Sequence, residues 1–354
     1  MVQRIMRAGE SLEKEVGLVP EKAMKAIRFE GAGDTDVIRL VEAPRPELRD
    51  SDLLIRVHAA GVNRSDILHR QGYYGENPDF GDSLLPGLEI AGEVTEAGPG
   101  AIGFRPGDRV MSIVGGGAYA EYARVDYRMA MRIPERVTYV EAAAIPEVFV
   151  TAHEALLHLG KLKSGRWALI HAAAGGVGSA AVQLAHALGA RVVFTASGAH
   201  RIQRVCELGG TIGVDYHRQD FLAAALEATG GRGVDVVVDF IGGSYLDRNL
   251  RALVPGGRLV QVGFLGGDEG KLALGLVISN YLRIIGTVMK SRSFEDKLAM
   301  TARFRDRWLS WFATGQLAPV VARTFPLTEV VEAHRAVEAS GYVGKIVLAM
   351  DQGG

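Results

Sequence analysis

The sequence predicts an α/β protein in two parts, an all-β, barrel-like unit at the front and a doubly wound parallel sheet behind it. Between Met24 and about Ala130, short apolar runs are broken by Gly, Pro and Asp in the order MKAIRFEG, DVIRLVEAP, DLLIRVHAAGV, LEIAGEVTEAG and GDRVMSIVGG, the punctuation expected of strands joined by turns. After Pro146 the rhythm changes. Compact runs at Trp167 to Ala172, Arg191 to Thr195, Val234 to Phe240 and Arg258 to Val262 lack polar alternation, as parallel strands buried on both faces do. Between them lie helical patterns at Val177 to Leu188, Ala199 to Leu208, Asp220 to Thr229 and Tyr245 to Leu253, which places helices on both faces of the sheet.

The tail carries a long helical stretch, Glu295 to Ala313, then PLTEVVEAHRAVEAS and a last strand, GKIVLAM. That strand has no place in the parallel sheet, so it is expected to return to the front unit and make it discontinuous. The expected division is an N-terminal extension over 1–22, a β-rich domain from 23–148 and 288–354, and a dinucleotide-binding domain over 149–287.

Composition narrows the function. With 354 residues, 48% hydrophobic and 23% charged, the chain can bury two cores of ordinary globular composition. Forty basic residues against forty-one acidic ones leave a net charge of -1, so no long-range field draws it to nucleic acid or an anionic membrane. No run of about 18 apolar residues occurs. A single cysteine, Cys206, excludes an intrachain disulfide; it lies in a helical pattern and reads as core. With no apolar leader visible before Pro20, a cytoplasmic setting is expected.

The strongest local signal is WALIHAAAGGVGSAAVQLAHALGA, a strand running into a glycine-rich turn and a helix. Ala174, Gly175, Gly176 and Val177 would carry the pyrophosphate on backbone amides at a helix N-terminus, and Gly178 would let helix and strand pack closely. Ala173 stands where the common fingerprint has its first glycine. The second strand ends at VVFTASGAHR, with no Asp or Glu to accept from a ribose 2′-hydroxyl. Ser197 and Arg201 stand there instead, a hydroxyl and a guanidinium fork that suit a 2′-phosphate, so NADPH is the expected cofactor.

Zinc alcohol dehydrogenases share this two-part plan, but their ligands are absent. GVNRSD carries Asn63 where that family has its first cysteine, and PGLEIAG carries Leu88 where it has its histidine. One cysteine cannot fill a four-cysteine structural loop, so no metal site is expected.

The segments GVNRSDILHRQGYY, LPGLEIAGEV, AAAIPEVFVTAHEAL, HAAAGGVGSAAVQLA, DFIGGSYLDRNLRALVPGGRLVQVGFLGG and GYVGKIVLAM together resemble the zinc-free quinone oxidoreductase branch of the medium-chain dehydrogenase/reductase superfamily, the branch that includes zeta-crystallin. DFIGGSY, KSRS and GKIVL are most similar to its tumour-suppressor-inducible type. The resemblance implies a GroES-like catalytic domain, a Rossmann domain, a cleft for NADPH, a quinone or enone substrate, and a homodimer or a dimer of dimers. It also implies roles. Asn63 and Tyr74 would lie at the nicotinamide and substrate end, with Tyr74 donating to the developing oxyanion. Thr151 would reach the nicotinamide region, and Tyr216 would pack near the adenosine. Gly263, Phe264 and Leu265 would line the cofactor, and Lys345 would face its phosphates. Some members carry a second tyrosine five residues after the Asn; here that position is Leu68. Two other readings stay open: an enoyl-thioester or alkenal reductase of the same superfamily, and an NADPH-binding structural or sensor protein with little turnover.

Overall fold

The computed structural model describes residues 23–73 and 83–350. At the front, β1 (Ala23–Phe29) and β2 (Ile38–Pro44) form an antiparallel pair. β3 (Asp52–Val62) follows, then α1 (Arg64–Arg70), β4 (Glu89–Ala97), β5 (Arg109–Ile113), β6 (Tyr122–Asp126) and β7 (Met131–Arg132). Two helices, α2 (Tyr139–Ala142) and α3 (Pro146–His153), lead out of this unit, and α3 runs on into a wider π-helical turn over Glu154–Leu159. Strong apolar content at alternate positions puts β3 and β4 at its centre, and Leu53, Ile55, Ile90 and Val94 are fully buried.

The parallel sheet is built from β8 (Trp167–Ile170), α4 (Gly176–Ala187), β9 (Arg191–Ala196), α5 (Ala199–Glu207), β10 (Ile212–Asp215), α6 (Phe221–Ala228), β11 (Val234–Asp239), α7 (Leu246–Ala252), β12 (Leu253–Gln261), α8 (Leu274–Ser279) and β13 (Arg283–Gly286). Its strand order is β10-β9-β8-β11-β12-β13. The order reverses beside β8, the switch point at which such sheets open a crevice at the carboxyl ends of their strands. β10 and β13 escape the sequence reading because each has only four residues, with Ile212 and Ile284 exposed.

The chain then returns to the front through α9 (Phe294–Thr314), β14 (Val321–Pro326), α10 (Val330–Ala339) and β15 (Lys345–Ala349). Ser293 caps α9 by accepting from the Asp296 amide, and Gly315, in the left-handed conformation at φ 79°, ends it. Met300, Phe304, Trp308 and Phe312 make one buried stripe on this helix, and the Phe312 ring meets Phe149 of α3 edge-on at 4.9 Å. β15 pairs antiparallel with β3, Ile346 opposite Val62. The larger β sheet therefore runs β14-β15-β3-β4-β5-β7, with β6 also on β3.

One expectation is corrected: Cys206 is exposed rather than core. α5 lies along the sheet with Val205 as its one buried residue, and the position after an inward-facing residue is turned about 100° away from it. Burial of the thiol's immediate surroundings and the neighbouring Glu207 charge still push its pKa up, so it gains no thiolate character.

The glycine turn shows why small residues are needed there. A Cβ on Gly178 would collide with the Ala172 carbonyl oxygen and lie 2.6 Å from the Ala173 Cα, both backbone atoms. Ala172 itself takes a left-handed conformation, φ 47°, which turns the chain from β8 into α4 at some conformational cost. Gly178→Ala is therefore expected to destabilise the protein by about 1–3 kcal/mol and to weaken dinucleotide binding. Chemical denaturation and a binding titration check this, and unchanged values in both would show that α4 can move off β8 freely.

Candidate active site

The site is a seam between the parallel sheet and the returning tail. Gly344 donates its amide to the Ala174 carbonyl at 2.9 Å, and Gly175 forms an isolated parallel bridge with Gly344. A Cβ on Gly176 would lie 2.8 Å from Lys345 Cδ and 3.0 Å from Val148 Cγ1. The bare face of Gly176 thus receives the stem of Lys345 and the first turn of α3. Gly175 is the N-cap of α4 and supplies no side-chain acceptor, so the first-turn amides of Gly176, Val177 and Gly178 remain available to an anion. These features fit a dinucleotide pyrophosphate.

The stem of Lys345 lies beside the turn, and its ammonium is bound within a polar cluster. Nζ donates to Val62 O at 3.0 Å, Asn63 Oδ1 at 2.6 Å and Glu89 Oε1 at 2.5 Å. Those three bonds use all three donors of an ammonium. Lys345 is 5% exposed and Glu89 fully buried, so the pair is a desolvated ion pair that holds only because its geometry is complete.

Asn63 is the N-cap of α1, its backbone amide donating to Asp66 Oδ2 at 2.8 Å. Its side-chain amide donates to Glu89 Oε1 at 2.8 Å and to the Gly61 carbonyl at 3.4 Å, while Oδ1 accepts from Lys345. Ammonium on one side and carboxylate on the other settle which way the amide points. What is left is one lone pair on Oδ1, so Asn63 can accept one more hydrogen bond but cannot donate to a substrate carbonyl.

Three more groups line this cluster, and none was singled out from the sequence. Asp66, buried, also accepts from the Tyr119 hydroxyl at 2.9 Å. Burial pushes its pKa up to about 6, against the lowering effect of the Asn63 amide and the Tyr119 hydroxyl. Glu89 uses its second oxygen to accept the Glu147 backbone amide at 2.9 Å, at the start of α3. Glu147 Oε2 and, one turn on, Thr151 Oγ1 are both buried without a hydrogen-bond partner. Glu89 and Glu147 sit inside the apolar runs GLEIAG and AAAIPEVFV; a carboxylate within such a run was the available signal.

Beneath the turn a second buried chain of hydrogen bonds fixes the sheet end. Thr195 Oγ1 lies 3.1 Å from His171 Nδ1, His171 Nε2 lies 2.7 Å from Asn249 Oδ1, and Asn249 Nδ2 donates to Asp239 Oδ2 at 2.9 Å. Asp239 in turn accepts the amides of Ile241 at 2.7 Å and Gly242 at 3.1 Å. Burial lowers the His171 pKa. A neutral ring donating from Nε2 and accepting at Nδ1 satisfies every partner.

At the end of β9 the Arg201 guanidinium donates to the Ser197 carbonyl at 2.7 Å and also to its hydroxyl. The Tyr216 amide reaches Ala196 O at 3.3 Å, leaving its ring half exposed beside them. One acid stands near, Asp215, whose two oxygens accept the amides of Gly198 and His217, at 3.3 and 3.2 Å. Across the crevice, Gly263 to Leu265 form the loop after β12. Gly263 O accepts from Gln261 at 2.6 Å and the Leu265 amide donates to Phe240 O at 2.9 Å, with Phe264 and Leu265 exposed. Tyr74 lies outside the described residues.

The residues do not fit a zinc ion. Asn63 offers one amide lone pair in place of a thiolate, Leu88 is a buried hydrocarbon, and among the described residues no group of three His, Cys, Asp or Glu side chains could hold a metal.

Known proteins share the sequence pattern and fold of this chain. Residues 176–303 match the family of zinc-binding dehydrogenases and residues 49–135 the alcohol dehydrogenase GroES-like domain. The chain is 32% identical over 337 residues to the human quinone oxidoreductase, covering 93% of this chain and 99% of that protein. Among solved structures, it is similar to a mycobacterial protein complexed with NADPH, with TM-score 0.82, 30% identity and coverage of 92% and 99%. It is similar also to the CurK enoyl reductase, with TM-score 0.82, 26% identity and coverage of 92% and 99%. With its GroES-like unit, its Rossmann sheet and a quinone oxidoreductase relative matched end to end, the chain belongs to the medium-chain dehydrogenase/reductase superfamily of NAD(P)H-binding oxidoreductases, beside the quinone oxidoreductases.

Proposed function

We propose that the chain is an NADPH-dependent quinone oxidoreductase that reduces quinones or related α,β-unsaturated carbonyl compounds without zinc. The observation that carries this reading is the seam. A helix N-terminus open to a pyrophosphate is joined through Gly175 and Gly344 to a buried polar cluster that offers hydrogen bonds and no metal donor set. When bound, the dinucleotide supplies the hydride; the protein binds, orients and keeps water out.

NADPH is favoured over NADH by the Ser197 and Arg201 pair, a hydroxyl and a guanidinium suited to a 2′-phosphate. The relative bound to NADPH supports the same choice. Asn63, with a lone pair left on Oδ1, would accept from the nicotinamide carboxamide or a ribose hydroxyl, and Thr151 would donate from the same side. Tyr74 would donate to the developing oxyanion. Ala174 to Gly178, Tyr216 and the Gly263 to Leu265 loop would line the remainder.

An enoyl-thioester or alkenal reductase is the second reading, supported by the likeness to an enoyl reductase. For assembly, β13 at the free edge of the parallel sheet exposes Ile284, and Leu274, Ile278 and Tyr281 beside it are also exposed. That edge supports a homodimer in which a second copy pairs there about a two-fold axis. No helix among the described residues is long and apolar enough to cross a membrane, and a cytoplasmic setting belongs to the same proposal.

NADPH oxidation by the purified protein, with benzoquinone, phenanthrenequinone, an alkenal and crotonyl-CoA in parallel and NADH as the control, tests the reading. Turnover mainly of quinones supports it, faster turnover of the thioester or alkenal favours the second reading, and tight binding without oxidation indicates a sensor. Arg201→Ala is expected to raise the Michaelis constant for NADPH roughly ten- to a hundredfold and to leave that for NADH nearly unchanged; equal effects on both would remove the 2′-phosphate assignment. Tyr74→Phe is expected to lower turnover by about a hundredfold with little change in cofactor affinity, and unaltered rates with several quinones would take Tyr74 out of the mechanism. Chelators are expected to leave activity intact, whereas loss restored by zinc would overturn the zinc-free reading.

A further inference from the structure

We propose that Glu147 is a catalytic acid, held as a neutral carboxyl group at the substrate end of the seam, and that it delivers the proton to the acceptor oxygen as hydride arrives. The inference rests on the hydride-transfer reading above and adds to it the source of the proton.

The geometry begins with how the cluster distributes charge. Glu89 has its negative charge answered by Lys345 and its oxygens filled by Lys345, Asn63 and the Glu147 backbone amide. Among the described residues no comparable set of partners meets the Glu147 side chain. Its Oε2 is buried without a hydrogen-bond partner, and the charged groups acting on it from the packed elements are Glu89 on β4, Lys345 on β15, Asp66 on α1 and Lys297 on α9. Two of these are carboxylates, and the nearer cation is already bound to Glu89. An ionised Glu147 would therefore be a second carboxylate against Glu89 in a partly buried place, where like charges raise the cost of ionisation. Burial first, then the Glu89 charge, accordingly raise the Glu147 pKa to about 8.

A neutral carboxyl is a donor as well as an acceptor. Here its buried oxygen has no protein acceptor to meet. The Thr151 hydroxyl, four residues on and hence on the same face of α3, is likewise unspent. Two unspent donors side by side suit a carbonyl oxygen and the carboxamide of a dinucleotide. The first turn of α3 carries them to the glycine turn, since Val148 packs on the bare face of Gly176. Asn63 cannot serve as the donor, because its amide hydrogens are spent on Glu89 and Gly61.

In the step itself, the Glu147 O–H bond breaks and an O–H bond forms on the acceptor oxygen. The electron pair arrives at the acceptor as hydride drawn from the reduced nicotinamide, which is oxidised in the same turnover. Glu147 is left as a carboxylate beside Glu89, a placement that favours its recapture of a proton from water when the product leaves.

The test uses Glu147→Gln, which keeps the shape and a donor but has no proton to give. In the cofactor-free protein, infrared spectra should show a carboxylic-acid carbonyl band that titrates near pH 8 and is lost in Glu147→Gln. Wild-type quinone turnover should fall as pH rises through about 8, because the acid form is present below that value; Glu147→Gln should be about a hundredfold slower, with the pH step abolished and NADPH affinity retained. If the variant does not fold, the wild-type infrared titration and pH profile decide alone. Active wild type with no such band, no pH step, or an unaltered profile in Glu147→Gln overturns the assignment of Glu147 and leaves the quinone oxidoreductase reading standing. A wild type that binds NADPH but reduces none of the quinones, the alkenal or the thioester overturns both.

Discussion

Lys345 carries its ammonium into a place water does not reach, where Val62, Asn63 and Glu89 supply an acceptor each. These acceptors come from the end of β3, the cap of α1 and the start of β4, while the lysine itself opens the last strand. One buried cation thus ties the tail of the chain to the front sheet at the point where the glycine turn also touches it. Taking one member away would leave an uncompensated buried charge, a loss of about 3–5 kcal/mol. That constraint fixes the stem of Lys345 against Gly176, the direction of the Asn63 amide and the oxygen of Glu89 that receives α3.

The same contact explains how the site acquires both polarity and rigidity without a metal. Asn63, Glu89 and Lys345 are each restrained by the other two, so their dipoles are set before any ligand binds, the condition under which hydrogen bonds assist a reaction most. On the sheet side, the chain from Thr195 through His171 and Asn249 to Asp239 does the equivalent for the two loops that border the crevice. Both networks are satisfied at nearly every atom. Beside the first of them, Glu147 Oε2 and Thr151 Oγ1 are buried without a hydrogen-bond partner, and both lie on α3, where it meets the glycine turn.

Much of the architecture was legible in the chain. Unalternated apolar runs gave the central parallel strands, turn residues gave β1 to β5 to within a few positions but not β6, β7 or β14, and the glycine-rich turn identified the switch point. Short edge strands were not legible: β10 and β13 are half exposed and carry no periodic signal. Cys206 misled because a one-residue rotation on a helix decides between core and solvent. The acids were missed for another reason. Glu89 and Glu147 drew no attention within their apolar runs, and the cation that answers Glu89 is distant in sequence, Lys345 lying 256 positions away.

The sequence by itself determined the fold class, the dinucleotide turn with its need for glycine at 178, and the absence of zinc ligands at Asn63 and Leu88, because each depends on residues close together in the chain and on local sterics or donor chemistry. Tertiary structure decided what surrounds the site residues. Only packing shows that the Lys345 ammonium binds Glu89, that Asn63 has a single lone pair to offer, and that Glu147 Oε2 is buried without a hydrogen-bond partner, since burial and the company of distant side chains set charge state and hydrogen-bond capacity, and neither is written in local sequence.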